Sequence, residues 1–493
     1  MKLSLLATFS LILLLISCKT AHSSDNAYKL KSESKTEFIP ILANIDDDDM
    51  DGRADSEDHK INGEHDILDL TPVSIEKEYR FKVSNFQNSA INVFYKNSDG
   101  SISSEDTKFS ARKTILIEAV RLADKNQPRN FTVDLDLKTE NGGTETYPLN
   151  LSIAPFVMLP NSAKTETFYI ATGAYNTTKM ISQISNILNK KGVKLHKPYL
   201  SYDWQDMWMQ DSVEIGYAQL PGKEPMYIVM NGIRGYDGFG PTLFGRDMAV
   251  IKVGSVRNLG GGDDWADWFG NLEVTAPTAK YPLGRIYYGL NSSSKIALHP
   301  EVVSFLKAQN VQDPFPVETG YLTIKHVDEI FNFVRSASGE DYLIIGGTQL
   351  ALDMRLEFSE LFKSSETGKH FSLSGDREYN LRIQRILNSI KEDVISKTGW
   401  DRSKIIELPV LYHQGHNIWS NPINSVYING TIITGETYLP PAVRADITSK
   451  FRSIGLDTVY VTDKVYQDRY GNIHCSSNTK KIPLVSDYSN LVY

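Results

Sequence analysis

The spacing of apolar residues changes near residue 158 and divides the chain into two patterns. Before this point, short alternating runs of apolar and polar residues are separated by turn residues. Asp99-Gly100 and Asn141-Gly142-Gly143 are typical hairpin turns between such runs. The pattern predicts a small β-sandwich, with strands at residues 79–83, 91–95, 114–120, 131–137 and 147–153.

Strand and helix patterns are mixed in the second part of the chain. Residues 177–191 place Met180 and Leu188 on one helical face, and Gly192 follows as a stop signal. We therefore expect an α+β domain here. Its further predicted elements are a strand at residues 193–195, the longest helix at 378–397, a hairpin at 426–433, a helix at 442–454 and a strand at 458–461.

The N-terminal residues have the pattern of an export signal. Lys2 precedes an apolar run over residues 3–16, which is too short to span a membrane comfortably. The run ends in Leu15-Ile16-Ser17-Cys18, which resembles a bacterial lipobox, where the cysteine receives a diacylglycerol and becomes the mature N-terminus. The alternative is an ordinary signal peptide with an unrelated cysteine.

The polar residues 19–36 lack an apolar period and predict a flexible tether. We therefore expect an exported protein that is lipid-anchored at a bacterial cell envelope, on the periplasmic face or at the cell surface. The predicted segments are a lipoprotein signal at residues 1–18, a tether at 19–36, a β-domain at 37–155 and an α+β domain at 156–493.

Charge and cysteine content narrow the classes of function. The 493 residues carry a net charge of -8, and no basic stripe marks a nucleic-acid interface, so we expect no nucleic-acid partner. The chain has two cysteines, Cys18 and Cys475. Lipidation of Cys18 leaves Cys475 as the single thiol and excludes an internal disulfide. Such a thiol is either a small buried hydrophobe or a reactive group.

One acidic segment has the pattern of a calcium site. Residues 44–69 hold eleven Asp and Glu but two Lys and Arg. Calcium takes about six to eight oxygen ligands, and alternate residues of a loop turn their oxygens inward. The alternative is a solvated acidic linker. Positions 1, 3, 5, 6, 9 and 12 of a calcium loop are matched by Asp47, Asp49, Asp51, Gly52, Asp55 and Asp58.

Two further groups of residues suit recognition of a planar cation. The segment from Trp204 to Glu214 combines two tryptophans with Asp211, and aromatic faces and carboxylates both attract guanidinium groups. His326 and Asp328 alternate, so their side chains would point the same way at a strand end. Each group alone is more often structural than functional.

The last group contains the candidate nucleophile. Cys475 follows His474 directly. A cysteine, a histidine and two acids suit thiol attack on an electron-poor, positively charged carbon, because the acids bind the cation and the histidine moves protons. A thiolate of this kind is favoured by nearby positive charge, which we therefore expect around Cys475.

Together these residues resemble the calcium-dependent peptidylarginine deiminase family. The similarity begins at residues 41–46 and 152–161 and continues through five motifs in the family's order. One such match is weak, whereas five in order are specific. The motifs are Trp208-Met-Gln210-Asp211, Phe269-Gly-Asn-Leu-Glu273-Val, Tyr281-Pro-Leu-Gly-Arg285-Ile, His326-Val-Asp328-Glu329 and His474-Cys475.

The resemblance implies a fold and an activity. Residues 37–155 would be the family's calcium-binding immunoglobulin-like middle domain, and its separate first immunoglobulin-like domain is expected to be replaced by the tether. Residues 156–493 would be a pentein catalytic domain of five ββαβ-like modules around a pseudo-fivefold axis. The implied reaction is hydrolysis of arginine in a protein or peptide to citrulline and ammonia.

The resemblance also implies roles for single residues. Asp211 and Asp328 would hold the guanidinium, His326 would be the general acid and base, and Cys475 would form a covalent thiouronium intermediate. On the substrate side, the residues that match are Trp208, which would pack against the arginine stem, and Arg469, which would contact the peptide backbone.

Calcium is the implied cofactor, with several ions. A site beside the cleft would use Gln210, Glu214, Glu273 and the main-chain carbonyls of Phe269 and Leu272. A cluster in the first domain would use Asn44, Asp46, Asp48, Asp55, Asp58, Asp66 and Asp69. The sequence departs from the family at Ser212, where an acid is usual, and at residues 231–235, so a second calcium beside the cleft is not carried over. Lys325 also replaces a glycine.

Two other functions remain open at this point. A deiminase for free arginine or agmatine would share the pentein fold, but those enzymes usually have no sandwich domain, and Arg469 favours a peptide substrate. A catalytically dead, calcium-stabilised surface protein is the alternative from another class. The presence of Asp211, His326, Asp328 and Cys475 argues against it.

The lipobox generates a direct prediction. A Cys18→Ser variant should lack the diacylglycerol acceptor and should move from the membrane fraction to the soluble fraction. Metabolic labelling with a fatty acid and fractionation check both effects. A variant that stays membrane-bound would show that the lipobox interpretation is wrong.

Overall fold

The computed structural model divides the chain into two compact units. One comprises residues up to Ala154 with the loop Gln219–Pro225, and the other comprises Pro155–Ala218 and Met226–Val485. The described residues are 15–17, 27–29, 38–58, 60–63, 66–73, 78–84, 90–97, 99–109, 114–171, 177–198, 206–234 and 238–485.

Most of the N-terminal segment, including Cys18, lies outside the described residues. Two short strands, Leu15–Ser17 and Ala27–Lys29, are described there and pair antiparallel. The export signal, lipobox and tether therefore stay predictions. In the part of the chain that the structure describes, no helix combines the length and apolar character needed to cross a membrane.

The smaller unit consists of two mainly antiparallel sheets. Alternate residues of its strands are buried, as in Val133, Leu135 and Leu137, which is the period expected when one face packs on a core. One sheet contains Ala27–Lys29, Leu15–Ser17, Leu68–Val73, Thr114–Ala119, Ile91–Lys96 and Ile102–Ser103, and the other contains Ile39–Ile41, Thr144–Ile153, Asn130–Thr139 and Tyr79–Ser84.

The strands and turns predicted for this unit are confirmed within one to three residues at their ends. Gly100 and Gly142 have φ angles of 84° and 82°, which the hairpin turns require and which glycine adopts without strain. The immunoglobulin-like topology of the unit stays a prediction.

The larger unit repeats one pattern of strand pairing. In each of five sheets the middle strand pairs antiparallel with the strand before it and parallel with the strand after it. The three strands that form this pattern in each sheet are, in turn, Val213–Ala218, Met226–Asn231 and Met248–Lys252; Leu272–Val274, Ile286–Asn291 and Phe315–Glu318; Phe331–Arg335, Asp341–Gly347 and Ile405–Pro409; Val426–Ile428, Thr431–Gly435 and Asp457–Val461; and Ser477–Lys481, Thr165–Ile170 and Lys194–His196. The first two of these sheets each have a fourth strand, Val157–Met158 and Ile296–Ala297.

Parallel neighbours need a crossover connection, and helices supply it in four of these sheets. The crossovers are Pro300–Ala308, Arg377–Thr398, Pro441–Ser453 and Thr178–Lys191, whereas the first sheet uses the 3₁₀ turn Gly240–Leu243. The number of sheets equals the number of modules that the resemblance implies. Their arrangement around a common axis stays a prediction.

The long helices confirm the periodicity argument. Thr178–Lys191 buries Met180, Ile184, Ile187 and Leu188, and Gly192 ends it at φ 67° with its N–H donating to the carbonyl of Asn189. Arg377–Thr398 ends in the same way at Gly399, φ 73°. The predicted hairpin and the last helix and strand are also confirmed.

The remaining elements are short. The short helices are Met209–Ser212, Thr348–Leu352, Glu360–Ser364, Glu366–His370 and Lys464–Gln467, and the 3₁₀ turns are Asp55–Glu57, Asp263–Asp267, Phe269–Asn271, Val327–Glu329 and Arg402–Lys404. Short strands occur at Val157–Met158, Ile296–Ala297, Tyr412–His413 and His416–Asn417.

Candidate active site

The candidate site is built from equivalent positions of the five sheets. Each sheet contributes a residue that lies two or three positions before its first strand. Because these strands are buried, the turn that precedes each one presents its side chains at the same place in the repeat. The residues concerned are Asp211, Gly270, Asp328, Asn424 and Cys475.

Asn424 connects the thiol to one of the carboxylates. Its Nδ2 lies 3.0 Å from Cys475 Sγ and 2.8 Å from Asp328 Oδ2, and its Oδ1 accepts the Cys475 N–H at 3.2 Å. Cys475 Sγ lies 3.4 Å from the same Asp328 oxygen. The thiol, the amide and the carboxylate are all buried, so this contact holds the sulfur in one place.

The electrostatic surroundings of the thiol differ from the expectation of nearby positive charge. Burial raises the pKa of the Cys475 thiol well above its ordinary value, and the carboxylates of Asp328, Asp211 and Glu329 raise it further. Carboxylates oppose formation of a second negative charge close by. The thiolate therefore needs a cation that arrives from outside this cluster.

His326 is held against Asp211. Its Nε2 lies 2.9 Å from the carbonyl oxygen of Trp265, and its Nδ1 lies 3.4 Å from Asp211 Oδ1. Gly270 makes this approach possible, since a Cβ there would lie 2.4 Å from the His326 Nδ1 and 2.8 Å from the Asp211 Oδ1. The sequence therefore needs glycine at this position of the Phe269-Gly-Asn motif.

Several buried polar atoms of the site are left without a hydrogen-bond partner within the described residues. They are Asp211 Oδ1, Asp328 Oδ1 and His326 Nδ1. Buried acceptors of this kind are rare because leaving them unpaired costs free energy. Burial also raises the pKa of Asp211, an effect that the charges of His326 and Arg234 oppose. The site thus suits a ligand that brings both N–H donors and positive charge.

An arginine that no motif indicated also lies in the site. Arg234 Nη1 is 2.9 Å from Asp211 Oδ2, and its Nη2 is 3.3 Å from Asp206 Oδ1. Its guanidinium carbon lies 4.1 Å from the centroid of the Trp268 ring, which is a cation–π contact. Trp268 also packs edge-on against His326, at 6.3 Å between ring centroids.

The expected cleft-side calcium ligands meet beside this centre. Gln210 Nε2 lies 2.9 Å from Glu214 Oε2 and 3.3 Å from the carbonyl oxygen of Phe269. Glu273 Oε1 is buried without a hydrogen-bond partner among the described residues. Gln210, Glu214 and Glu273 line a cavity of about 20 Å³, which holds one water-sized species. Leu272 begins the strand that carries Glu273.

Burial of Glu214 and Glu273 costs free energy unless a cation neutralises their carboxylates. It raises the pKa of Glu214 to about 8 and that of Glu273 well above its ordinary value. Burial also lowers the pKa of the neighbouring Lys481 ammonium to about 7. A carboxylate pair with an unpaired oxygen and a small cavity fits a hard divalent cation, so the residues present fit calcium.

Of the two expected substrate-binding residues, Trp208 lies close to the segment that leads to Cys475, whereas Arg469 is exposed. The Trp208 ring packs edge-on against Tyr466, and a Cβ at Gly471 would lie 2.3 Å from it, so this tryptophan lies beside the segment that leads to Cys475. Arg469 is exposed, and its Nη1 donates to the carbonyl of Val465 at 3.0 Å.

The acidic segment of the smaller unit brings carboxylates together in two groups. Oxygens of Asp47, Asp49 and Asp55 lie within 4.8 Å of one another, and so do those of Asp49, Asp51 and Asp58. Backbone N–H groups of Asp51 and Gly52 donate to Asp47, which shapes the loop as its calcium-like pattern predicts.

Other members of the expected cluster are nearby. A Cβ at Gly63 would lie 2.6 Å from Asp48 Oδ2 and 2.4 Å from Asp66 Oδ2, so these two carboxylates converge there. The Lys60 ammonium lies 2.7 Å from Asp58 Oδ2. Of the remaining expected ligands, Asn44 is buried and donates to Glu118, Asp46 is buried, and Asp69 lies on a strand opposite Leu116.

Comparison with known proteins shows which family the chain resembles. Residues 146–370 match the family described as Protein-arginine deiminase (PAD). The human protein-arginine deiminase type-4 is 26% identical over 378 residues, which are 69% of this chain and 56% of the relative. The human type-1 protein is 26% identical over 392 residues, 70% of this chain and 57% of the relative. Over these ranges the chain is similar to the protein-arginine deiminase family.

The likeness to solved structures is more distant. An agmatine deiminase from C. jejuni covers 67% of this chain and is itself covered to 97%, with 13% identity and a TM-score of 0.41. A dimethylarginine dimethylaminohydrolase covers 64% of this chain and is covered completely, at 12% identity and a TM-score of 0.34. The chain spans little more than half the length of its protein-arginine deiminase relatives.

Within the candidate site, sequence reasoning missed Asn424, Arg234 and Trp268. Asn424 could have been found from its position two residues before a predicted hairpin, the position that Asp211 and Cys475 take before their own strands. That signal becomes visible only after the repeat of five sheets is known. Arg234 and Trp268 have no comparable signal.

The contacts of Asn424 generate a prediction that can be measured without substrate. Asn424→Asp places another carboxylate against the sulfur, so iodoacetamide should alkylate Cys475 only at higher pH than in the parent protein. Asn424→Ala removes the hydrogen bond from Nδ2 to the sulfur, which favours the thiolate, so it should also move alkylation to higher pH. The exposed Asn388→Ala is the control, with Cys18→Ser as the common background. An unchanged alkylation profile in Asn424→Asp would contradict the contact.

Proposed function

We propose that this chain hydrolyses the guanidinium group of protein- or peptide-bound arginine to citrulline and ammonia. The observation that carries the proposal is one buried centre that contains a thiol, a histidine and two carboxylates with unpaired oxygens. The family supports the coarser reaction, hydrolysis of a guanidino C–N bond. The proposal adds the substrate class and the roles of the residues.

The positive charge of the substrate would counteract the rise in the pKa of the Cys475 thiol. An arginine guanidinium that donates to Asp211 Oδ1 and Asp328 Oδ1 brings a positive charge next to Cys475 Sγ. This charge offsets the carboxylates that raise the thiol pKa and therefore favours the thiolate in the complex rather than in the free enzyme. Asn424 Nδ2 then donates to the sulfur.

The reaction proceeds in two steps. Cys475 Sγ attacks the guanidinium carbon, a C–S bond forms, and one amino group leaves as ammonia with a proton from His326. His326 next takes a proton from water, the hydroxide adds to the same carbon, and the C–S bond breaks. Citrulline leaves and the thiol is restored. Asp211 and Asp328 act throughout by charge and orientation.

The larger unit is proposed to be a pentein propeller and the smaller unit an immunoglobulin-like domain. Support comes from the five sheets with one pairing pattern and from the two mainly antiparallel sheets. An α+β catalytic unit joined to a β-unit favours a macromolecular substrate over free arginine, because small-guanidine enzymes usually lack a β-domain.

Calcium is proposed as the cofactor at two places. In the larger unit, Gln210, Glu214, Glu273 and the carbonyls of Phe269 and Leu272 would hold an ion, which would neutralise the buried carboxylates beside the nucleophile. In the smaller unit, the ligands proposed are Asn44, Asp46, Asp48, Asp55, Asp58, Asp66 and Asp69. Convergence of Asp48 and Asp66 at Gly63 supports this cluster.

The localisation is proposed from the sequence alone. The apolar run and Cys18 support lipid anchoring at the envelope of a bacterium. The membrane would then contact the protein through its N-terminal lipid, and the catalytic unit would meet arginine residues of exported or host-facing proteins.

The activity predicts a defined set of products. With calcium, the protein should convert a blocked arginine peptide to citrulline and ammonia, and should turn over free arginine and agmatine much more slowly. Cys475→Ala should abolish citrulline while the melting temperature stays close to that of the parent. A colorimetric citrulline assay with mass spectrometry checks both. Faster turnover of agmatine would favour a small-guanidine deiminase, and citrulline production by Cys475→Ala would exclude this nucleophile.

Calcium should control stability and activity through separate residues. A ligand at about 100 times its dissociation constant stabilises the folded state by about 2.7 kcal/mol, so calcium should raise the melting temperature. Asp46→Asn/Asp48→Asn should lose much of that rise. Glu214→Gln should keep most of it and lose activity.

The exposed pair Glu360→Gln/Glu366→Gln serves as the control for removing two charges. Differential scanning fluorimetry and the citrulline assay, each over a calcium titration, measure the two effects. Full activity of Glu214→Gln at moderate calcium would show that the cleft-side ion has been misplaced.

A further inference from the structure

Arg234 lies in the candidate site, but the proposed reaction does not use it. It follows the middle strand of the first sheet, Met226–Asn231, and its side chain is 9% exposed. An arginine is seldom buried to this degree without a paired acid. Here it contacts two, Asp211 and Asp206, and stacks on Trp268.

The two oxygens of Asp211 have different partners. Oδ2 receives Arg234 Nη1 at 2.9 Å, whereas Oδ1 has no hydrogen-bond partner in the described part of the chain and lies 3.4 Å from His326 Nδ1. Asp328 Oδ1 is unpaired as well. Arg234 therefore holds Asp211 by one oxygen and leaves Oδ1 available to another donor.

Arg234 is itself held in place. Its second nitrogen binds Asp206, whose carboxylate also accepts the Trp208 N–H and the Ser212 hydroxyl at 3.0 Å each. The flat face of Trp268 limits rotation of the guanidinium. The Arg234 guanidinium is therefore held in one orientation, unlike that of a flexible surface arginine.

The fixed guanidinium of Arg234 restricts the orientation of the Asp211 carboxylate. The torsion that turns a carboxylate is broad, so an unpaired aspartate samples many orientations. A guanidinium on one oxygen restricts this torsion and leaves the second oxygen in one direction. Asp206 and Asp211 share Arg234, and Asp211 Oδ1 has no hydrogen-bond partner in the described part of the chain, so a second guanidinium can bind there.

We propose that Arg234 is a positioning residue for guanidinium recognition, which fixes Asp211 through Oδ2 so that Oδ1 faces the guanidinium of the substrate. Asp206 and Trp268 act through Arg234. The inference rests on the proposed function, since it takes Asp211 as a binder of the substrate.

Binding of a blocked arginine peptide tests the proposal without turnover. The background is Cys475→Ala with calcium, and calorimetry gives the dissociation constant. Arg234→Ala should weaken binding about tenfold or more, since Asp211 loses its orientation. The dissociation constant of Arg234→Lys should lie between those of Arg234→Ala and the background, because lysine keeps the positive charge but lacks the planar guanidinium group. Arg335→Ala, which breaks another arginine–aspartate pair, should bind like the background.

A double-mutant cycle separates positioning from a general loss of structure. Trp268→Leu should weaken binding in the presence of Arg234 but should add little in the Arg234→Ala background, because its effect passes through Arg234. Additive effects would overturn the assignment. Equal or tighter binding by Arg234→Ala would also overturn it, since Arg234 would then compete with the substrate. If Arg234→Ala does not fold, Arg234→Lys and Arg234→Gln carry the same comparison.

Failure of the proposed function would look different. If the Cys475→Ala background binds no arginine peptide and the parent protein forms no citrulline, the reaction itself is wrong. If the background binds and the parent turns over peptide, but Arg234→Ala binds no more weakly, only the role of Arg234 is wrong. In the active protein, Arg234→Ala should raise KM more than it lowers kcat.

Discussion

Burial of several carboxyl groups around a single thiol is the constraint on which the site depends. Asp211, Asp328, Glu329 and Glu273 are each at most 6% exposed, and the carboxylates of three of them raise the pKa of Cys475. Moving charged groups out of water costs free energy unless partners compensate. The protein supplies part of that compensation through Arg234, Asn424 and two histidines. The unpaired oxygens that remain define a place for an external cation, and an arginine side chain is a cation of the right shape.

The repeated sheets explain how residues far apart in sequence reach this place. The contributing positions run from residue 211 to residue 475, and each lies just before the first strand of its own sheet. The crossovers between the other strands vary from a 22-residue helix to a 3₁₀ turn, so the sequence shows no fixed period. In the last sheet, Ser477–Lys481 pairs with Thr165–Ile170. This pairing places Cys475, which is near the end of the chain, close to one of the first strands of the larger unit.

Periodicity and stop signals predicted the local elements well, because they depend on neighbouring residues. The helix at Thr178–Lys191 and its end at Gly192 are one example, and the hairpin around Asn429 and Gly430 is another. The motifs also identified Asp211, His326, Asp328 and Cys475 as candidates that the fold places in contact or near contact. Asn424 was not predicted, since its role arises from a contact with residues 51 and 96 positions away. The carboxylates that raise the pKa of Cys475 come from other sheets, so their effect on the thiol could not be predicted from neighbouring residues.

The proposed calcium site of the larger unit lies next to the proposed guanidinium site. The contacts between these two sites link the cofactor to the reaction. His474 Nδ1 lies 3.0 Å from Asp328 Oδ2, while its Nε2 lies 3.4 Å from Glu273 Oε1. The Gln210 N–H donates to the carbonyl of Cys475 at 3.1 Å. Charge added at Glu273 therefore acts on the guanidinium-binding carboxylate through one imidazole, and movement of Gln210 acts directly on the backbone of the nucleophile. Because interactions between charges are strong in a buried centre, an ion here can influence the thiol without touching the substrate. Calcium dependence would then follow from the need to balance the carboxylates before the second cation, the arginine, enters.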